Sequence, residues 1–256
     1  MPVESGVYYF FHEPDGASPP PIVLIHGAGG SHLSWPPELR RLPNRDVYSI
    51  DLPGHGKSEG HGEQTLGGYA DRVAEWMDSL RLFRAFVVGH SMGGGIALEL
   101  ALRYPHRTAG LCLIGAGARL PIPEDLMAYA ANPATYPSAL EILRRMSFGP
   151  KMPANLADLV IRRLGEVRPS VVCNDLQACA QFDFTEKLPE VRRPVLVVCG
   201  SEDQMAPLRL SQFLASKLEN AELRVIPGGG HMLMLEKGAE LAEIVSEYLR
   251  GMARPY

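Results

Sequence analysis

Residues 84–104 read Arg-Ala-Phe-Val-Val-Gly-His-Ser-Met-Gly-Gly-Gly-Ile-Ala-Leu-Glu-Leu-Ala-Leu-Arg-Tyr. An apolar run of strand type enters Gly89-His90-Ser91-Met92-Gly93, and an Ala/Leu-rich run of helix type leaves it. The chain must therefore turn sharply at Ser91. Glycines stand two residues to either side, where any Cβ would collide with the neighbouring strand or helix. Such a turn lifts the hydroxyl clear of both elements, and the helix N-terminus beneath it favours developing negative charge. The stretch commits the chain to strand, tight turn and helix, with a serine presented as a nucleophile.

The five-residue pattern alone does not decide this, because Gly56-Lys57-Ser58-Glu59-Gly60 also matches it. That second copy follows Asp51-Leu52-Pro53-Gly54-His55, which is turn chemistry with no strand entering. It runs on into Gly60-His61-Gly62, which cannot start a helix. Context rejects Ser58 and keeps Ser91.

The rest of the chain repeats the strand–helix rhythm. Val7–Phe11, Pro21–Ile25, Asp46–Ile50, Ala85–Val88, Thr108–Ile114, Pro194–Cys199 and Leu223–Ile226 read as strands. Several are wholly apolar, as strands buried on both faces are. Leu66–Leu80, Met92–Tyr104 and Leu233–Leu249 have helical spacing. The alternation predicts an α/β fold with a mostly parallel sheet of 7–8 strands flanked by helices. Residues 119–181 break the rhythm, with seven prolines, helical patches at Ala139–Met146 and Leu156–Leu164, and no buried-type strand. They read as a helical cap inserted into a core formed by residues 1–118 and 182–256.

Composition bounds the function. A net charge of −4 gives no electrostatic case for nucleic acid or an anionic membrane. No apolar run reaches bilayer length, and Met-Pro-Val-Glu-Ser-Gly lacks the basic and apolar regions of a signal peptide. Cys112, Cys173, Cys179 and Cys199 show no metal or redox spacing and read as small buried hydrophobes in a reducing cytoplasm. No cofactor is implied: Asp51 stands where a phosphate loop ending in Gly56-Lys57-Ser58 needs its first glycine. Oligomeric state, monomer or homodimer, stays open.

A serine nucleophile needs a base, and the base needs an orienting acid. In an open parallel sheet these gather at the C-terminal ends of strands. Of the eight histidines, His231 follows the last strand on the glycine-rich loop Gly228-Gly229-Gly230. His90 adjoins Ser91 but points elsewhere on a tight turn, and His26 sits in a glycine cluster that shapes a loop. For the acid, Glu202 and Asp203 both follow the Pro194–Cys199 strand, and spacing does not separate them. An oxyanion hole needs two backbone N–H groups aimed at one point. Met92 supplies one, and the His26–Gly30 loop should supply the other.

Five motifs stand in order: His26-Gly27 with Gly29-Gly30, Asp51-Leu52-Pro53-Gly54-His55-Gly56-Lys57-Ser58, Gly89–Gly93, Gly200-x-x-Asp203-x-x-x-Pro207, and Gly230-His231. In these the chain resembles α/β-hydrolase-fold proteins of the cap-bearing esterase and lipase type, from Pro21 to about Ser246. The order Ser91, Asp203, His231 is the order of that fold. The resemblance implies Asp203 rather than Glu202 as the acid and Ala28 as the second oxyanion donor. It assigns structural roles to His26 and to Asp51–Ser58. The family commonly opens with a two-strand hairpin, of which only Val7–Phe11 is clear here.

The resemblance implies a cofactor-independent serine hydrolase acting on a small-molecule ester-like substrate, of small to medium size and hydrophobic. Dehalogenase- and epoxide-hydrolase-like members carry Asp where Ser91 stands. Carbon–carbon bond hydrolases often have Asn and Trp where this chain has His90 and Met232. Lactonase, thioesterase and carbon–carbon hydrolase chemistry remain alternatives. So does a hydrolase-like sensor of small molecules that signals through a protein partner. Substrate choice should lie in the cap, where Tyr129, Tyr136 and Phe148 either line an apolar pocket or pack the cap on the core.

Overall fold

The computed structural model describes residues 3–17 and 20–252. Met1, Pro2 and residues 253–256, which the core bounds and the N-terminal reading include, lie outside the described residues. The strands are β1 (Val3–Glu4), β2 (Val7–His12), β3 (Ile22–Ile25), β4 (Val47–Ile50), β5 (Ala85–His90), β6 (Thr108–Ile114), β7 (Val195–Gly200) and β8 (Ala221–Ile226). They form one sheet in the order β1-β2-β4-β3-β5-β6-β7-β8. β2 runs antiparallel to β1 and β4, and the other pairs are parallel. The chain is an α/β-hydrolase fold. Its first strand is two residues long, joined to β2 by a turn in which Ser5 and Gly6 both have positive φ.

Helices α1 (Pro37–Arg40), α2 (Leu66–Ser79), α3 (Met92–Arg103), α4 (Glu124–Ala130), α5 (Tyr136–Ser147), α6 (Ala154–Gly165), α7 (Pro169–Gln181), α8 (Leu208–Lys217), α9 (Leu233–Glu236) and α10 (Gly238–Met252) complete the fold. The strand residues explain the layering, because side chains alternate faces along a strand. Val23, Ile25, Val87, Leu111, Leu113 and Val197 face one core with α2, α3 and α8. Ile22, Leu24, Phe86, Val88, Cys112 and Val198 face a second core with α1, α9 and α10. Apolar residues at consecutive positions thus serve two opposite layers, which is why these strands carry no polar alternation. Among the described residues, no helix is long and apolar enough to cross a membrane.

α4 to α7 lie between β6 and β7 and hold a small core of their own, including Leu126, Tyr136, Ile142, Leu143, Val172 and Leu176. α5 and α6 enclose the two helical patches read from the sequence. α4 and α7 carry weaker signals: both begin at prolines, and α7 opens with β-branched Val171 and Val172. The last helix differs from expectation. It breaks at Lys237 (φ −141°), where Gly238 packs on Pro36, and the apolar face continues across the break.

The tightest packing lies at the turn between β5 and α3. A Cβ on Gly89 would stand 2.1 Å from the Gly93 carbonyl oxygen, and one on Gly93 would stand 2.2 Å from the Ile25 carbonyl oxygen. Both obstacles are backbone, which cannot rotate away. Gly93→Ala should lower unfolding stability by about 3 kcal/mol or prevent folding. Denaturant titration checks this, with Gly251→Ala, which meets nothing within 4 Å, as the neutral control.

Candidate active site

Ser91 adopts φ 53° and ψ −116°. A non-glycine residue there costs about 1–3 kcal/mol and persists only when its surroundings hold it. They do so through three backbone hydrogen bonds. The Ser91 amide donates to the Ile114 carbonyl at 2.9 Å, and the Gly94 and Gly95 amides donate to the Ser91 carbonyl at 2.9 and 3.2 Å. The loop after β3 comes in just as closely, because a Cβ on Gly27 would lie 3.2 Å from the Ser91 Cβ. Ser58, the rejected match, is consumed structurally: its hydroxyl donates to the Asp51 carbonyl and accepts the Tyr8 amide.

The loops after β7 and β8 meet backbone to backbone, since a Cβ on Gly200 would stand 2.1 Å from the Gly229 carbonyl oxygen. This contact brings Asp203 and His231 together. His231 Nδ1 donates to Asp203 Oδ2 at 2.8 Å, while Asp203 Oδ1 accepts the Met205 and Ala206 amides. Both side chains are buried. With its hydrogen on Nδ1, the imidazole keeps a lone pair on Nε2. Glu202 is exposed and accepts the Ser201 hydroxyl, so geometry separates the two acids that spacing left tied. Ser91 and His231 line one cavity. Among the described residues, no hydrogen bond closes between the Ser91 hydroxyl and the imidazole, a link that commonly tightens only with substrate bound.

Three further residues hold this pair, and of these Glu236 and Gly115 have no sequence signal of their own. His90 Nε2 donates to the His231 carbonyl at 3.0 Å. Glu236 accepts the amides of Gly230 and Gly149, tying the His231 loop to the segment after α5. Gly115, with φ +53°, lies where a Cβ would approach Asp203 and His231 to 3.2 Å.

Ala28 and Met92, the expected oxyanion donors, flank Ser91 from two directions. Among the described residues, neither amide donates to a backbone partner. The Gly27 carbonyl, which shares a peptide plane with the Ala28 amide, accepts from Gly30 N at 3.0 Å and from His26 Nδ1 at 2.8 Å. His26 Nε2 in turn accepts the Leu52 amide, so the ring is neutral by geometry. Burial, reinforced by neighbouring His55, lowers its pKa to about 4. Asp51 is fully buried and accepts His32 N, His32 Nδ1 and Lys57 N. Burial opposes its ionisation, but these hydrogen bonds hold its pKa below the usual value.

The cavity over Ser91 has a volume of about 830 Å³ and is mostly apolar, with Leu143, Phe148, Leu159, Leu164 and Leu235 in its wall. A second pocket of about 20 Å³ also reaches Ser91 and His231 and is bounded by Leu120, Ile122 and Met146. Of the three aromatic residues considered from sequence, Phe148 lines the large cavity. Tyr136 packs inside the α4–α7 core and Tyr129 is exposed.

Comparison with known proteins agrees with this architecture. The model of the alpha/beta hydrolase family matches residues 22–244. RutD of Caulobacter sp. (strain K31), whose name assigns it carbamate hydrolysis, is 31% identical over 97% of this chain and 97% of its own. The pimeloyl-[acyl-carrier protein] methyl ester esterase of Aromatoleum aromaticum (strain DSM 19018 / LMG 30748 / EbN1) is 29% identical, over 91% of this chain and 99% of its own. A thermophilic esterase from Thermogutta terrifontis superposes with a TM-score of 0.87 at 23% identity, covering 97% of this chain and 94% of that one.

The buried histidines set an acid limit to stability. His26 and His90 both have pKa values lowered by burial, whereas the unfolded chain protonates its histidines near 6.5. Between these values the unfolded state binds more protons, so stability rises with pH. It should be fully present above about pH 6.5 and decline toward pH 4, with His26 alone contributing on the order of 3 kcal/mol. His55, whose pKa is raised, works in the opposite direction: its contribution is lost as pH rises through its folded value. Urea unfolding from pH 4 to 7 checks the slope, which His26→Asn should flatten.

Proposed function

Because the chain belongs to the alpha/beta hydrolase family and is a hydrolase of that fold, we propose that it is a serine carboxylesterase. The observation that carries this reading is the closed Asp203–His231 hydrogen bond beside a strained Ser91 at the mouth of an apolar cavity. Ser91 Oγ attacks the ester carbonyl while His231 Nε2 takes its proton. Asp203 fixes the tautomer and stabilises the imidazolium. The amides of Ala28 and Met92 receive the oxyanion, and His231 returns the proton to the departing alkoxide. Water, activated by the same imidazole, then releases the acid from the acyl-enzyme.

The two unequal pockets support a narrower substrate class. The smaller pocket at the serine, about 20 Å³, admits little more than a methyl group, whereas the larger, about 830 Å³, takes an extended apolar arm. We read the substrates as small to medium hydrophobic esters with one short arm, and the α4–α7 segment, of which α5, α6 and α7 line the large cavity, as the cap that selects them. The methyl ester esterase relative is consistent with this. The four cysteines are all unpaired, which suits a cytoplasmic enzyme. Carbamate hydrolysis, named for the Caulobacter relative, uses the same nucleophile and oxyanion chemistry and is the second reading.

Ser91→Ala should abolish hydrolysis of p-nitrophenyl acetate, and Asp203→Asn should lower kcat by about 10⁴-fold through loss of the correct tautomer. Full activity in Ser91→Ala overturns the assignment. At matched leaving groups, p-nitrophenyl acetate should exceed p-nitrophenyl octanoate, and methyl octanoate should exceed octyl octanoate, in kcat/KM by about tenfold or more, since one extra methylene in a tight pocket costs about 1–3 kcal/mol. Equal rates on esters with two long arms would remove the short-arm reading, and faster carbamate turnover would favour the second. Multiple turnovers on any of these separate an enzyme from a single-turnover sensor.

A further inference from the structure

One buried carboxylate is not used by the mechanism above. Asp175 lies within α7, fully buried, and accepts hydrogen bonds from three separate segments of the core. Gly29 N donates to Oδ2 at 2.8 Å, His55 Nε2 donates to Oδ2 at 2.8 Å, and the Tyr69 hydroxyl donates to Oδ1 at 2.5 Å. We propose that Asp175 is a positioning residue that holds the oxyanion loop in its working geometry from the α4–α7 insertion. This rests on the reading of the Ala28 amide as an oxyanion donor.

A peptide unit is planar and trans, so fixing one of its polar groups fixes the other. The plane between Gly27 and Ala28 is held through the Gly27 carbonyl by His26 Nδ1 and Gly30 N. The plane between Ala28 and Gly29 is held through the Gly29 amide by Asp175. The Ala28 N–H lies in the first plane and takes its direction there; Asp175, by fixing the second plane, holds Ala28 between two anchored peptides and keeps the first from rotating with the loop. The donor is therefore aimed before substrate arrives, the condition under which such donors are most effective. The first anchor lies within the loop and the core beneath it. The second comes from α7.

A bare carboxylate so near a developing oxyanion would oppose it. His55 removes that conflict. Its Nε2 faces Asp175, and its Nδ1 faces the Pro53 carbonyl oxygen at 3.0 Å. Both partners are acceptors, so both ring nitrogens carry hydrogen and the ring is an imidazolium. The buried pair is neutral overall, and Gly29 is offered a strong acceptor without a net negative charge. A tie that served only to fasten α7 to the core would need neither the charge nor the contact to Gly29, because buried ion pairs add little stability over apolar packing.

The two roles differ in what they move. α7 also lines the large cavity through Val172 and Leu176, so a merely structural tie would act on KM and on thermal stability. Positioning acts on kcat. Asp175→Asn, compared with wild type on p-nitrophenyl acetate, should lower kcat by about 10- to 100-fold, less than the 10²–10³ for losing a donor outright. KM should stay within about threefold, and affinity for an alkyl boronic acid, whose adduct places an oxyanion in the same hole, should fall in parallel with kcat. Unchanged kcat with raised KM overturns the proposal, as does unchanged boronate affinity. Ser91→Ala is measured alongside. If it retains activity, the esterase reading itself fails; if it is inactive while Asp175→Asn keeps full kcat, only the role of Asp175 fails. Should Asp175→Asn not fold, hydrogen exchange in wild type carries the test: the Gly29 amide should exchange about 100-fold or more slower than an open-loop amide. Exchange at loop rates overturns the proposal.

Discussion

The structure depends on backbone meeting backbone with no side chain between. At the end of β5 the Gly89 Cα faces the Gly93 carbonyl, and the Gly93 Cα faces the Ile25 carbonyl of β3. This crowding lets α3 start directly beneath the sheet edge and forces Ser91 to positive φ. It also brings the loop after β3 against the serine, so the nucleophile and the Ala28 amide share one neighbourhood. The same device recurs two strands away, where Gly200 touches Gly229 and draws the Asp203 and His231 loops together. Glycine contacts thus collect the ends of four strands, β3, β5, β7 and β8, into one site.

Buried aspartates then join what the glycines bring close. Asp51 couples the His32 turn to the Lys57 loop, Asp203 couples its own turn to His231, and Asp175 couples α7 to the oxyanion loop. Each accepts two or more donors, and each pairs with a histidine at 2.8 Å. Satisfied in this way, the charges add little net stability. Removing one partner is another matter, because it leaves a buried charge uncompensated and costs about 3–5 kcal/mol. The network therefore contributes uniqueness of geometry more than strength, and the strength comes from the two apolar layers on either side of the sheet.

The parts legible in sequence are those whose chemistry is local. Ser91 could be read because strand, turn and helix signals lie within a few residues of it. β3, β5, β6 and β7 could be read because burial on both faces leaves an apolar run. Asp203 against Glu202 could not be settled by spacing, since adjacent residues differ only in which one the turn directs inward, and that direction depends on Gly200 meeting Gly229. β1 was obscure for a similar reason: two residues paired through a Ser5-Gly6 turn give no periodicity. Glu236, Gly115 and Asp175 carry no local mark at all. Their roles arise from contacts across 87 residues for Glu236 with Gly149 and 146 for Asp175 with Gly29.

The segment α4–α7 between β6 and β7 was the least legible part of the chain. Residues of α5, α6 and α7 line the large cavity, so on the proposed function their side chains decide which ester fits. Through Asp175 and the Gly149 amide the segment also reaches back to the loops that carry Ala28 and His231. If Ala28 and His231 act as proposed, a segment with both connections couples selection to reaction. A substrate that seats α7 firmly on the core would then hold the Asp175–Gly29 contact, whereas one that props α7 away would loosen it. Discrimination would then fall on the transition state and not only on binding, which is where selectivity in kcat/KM is gained.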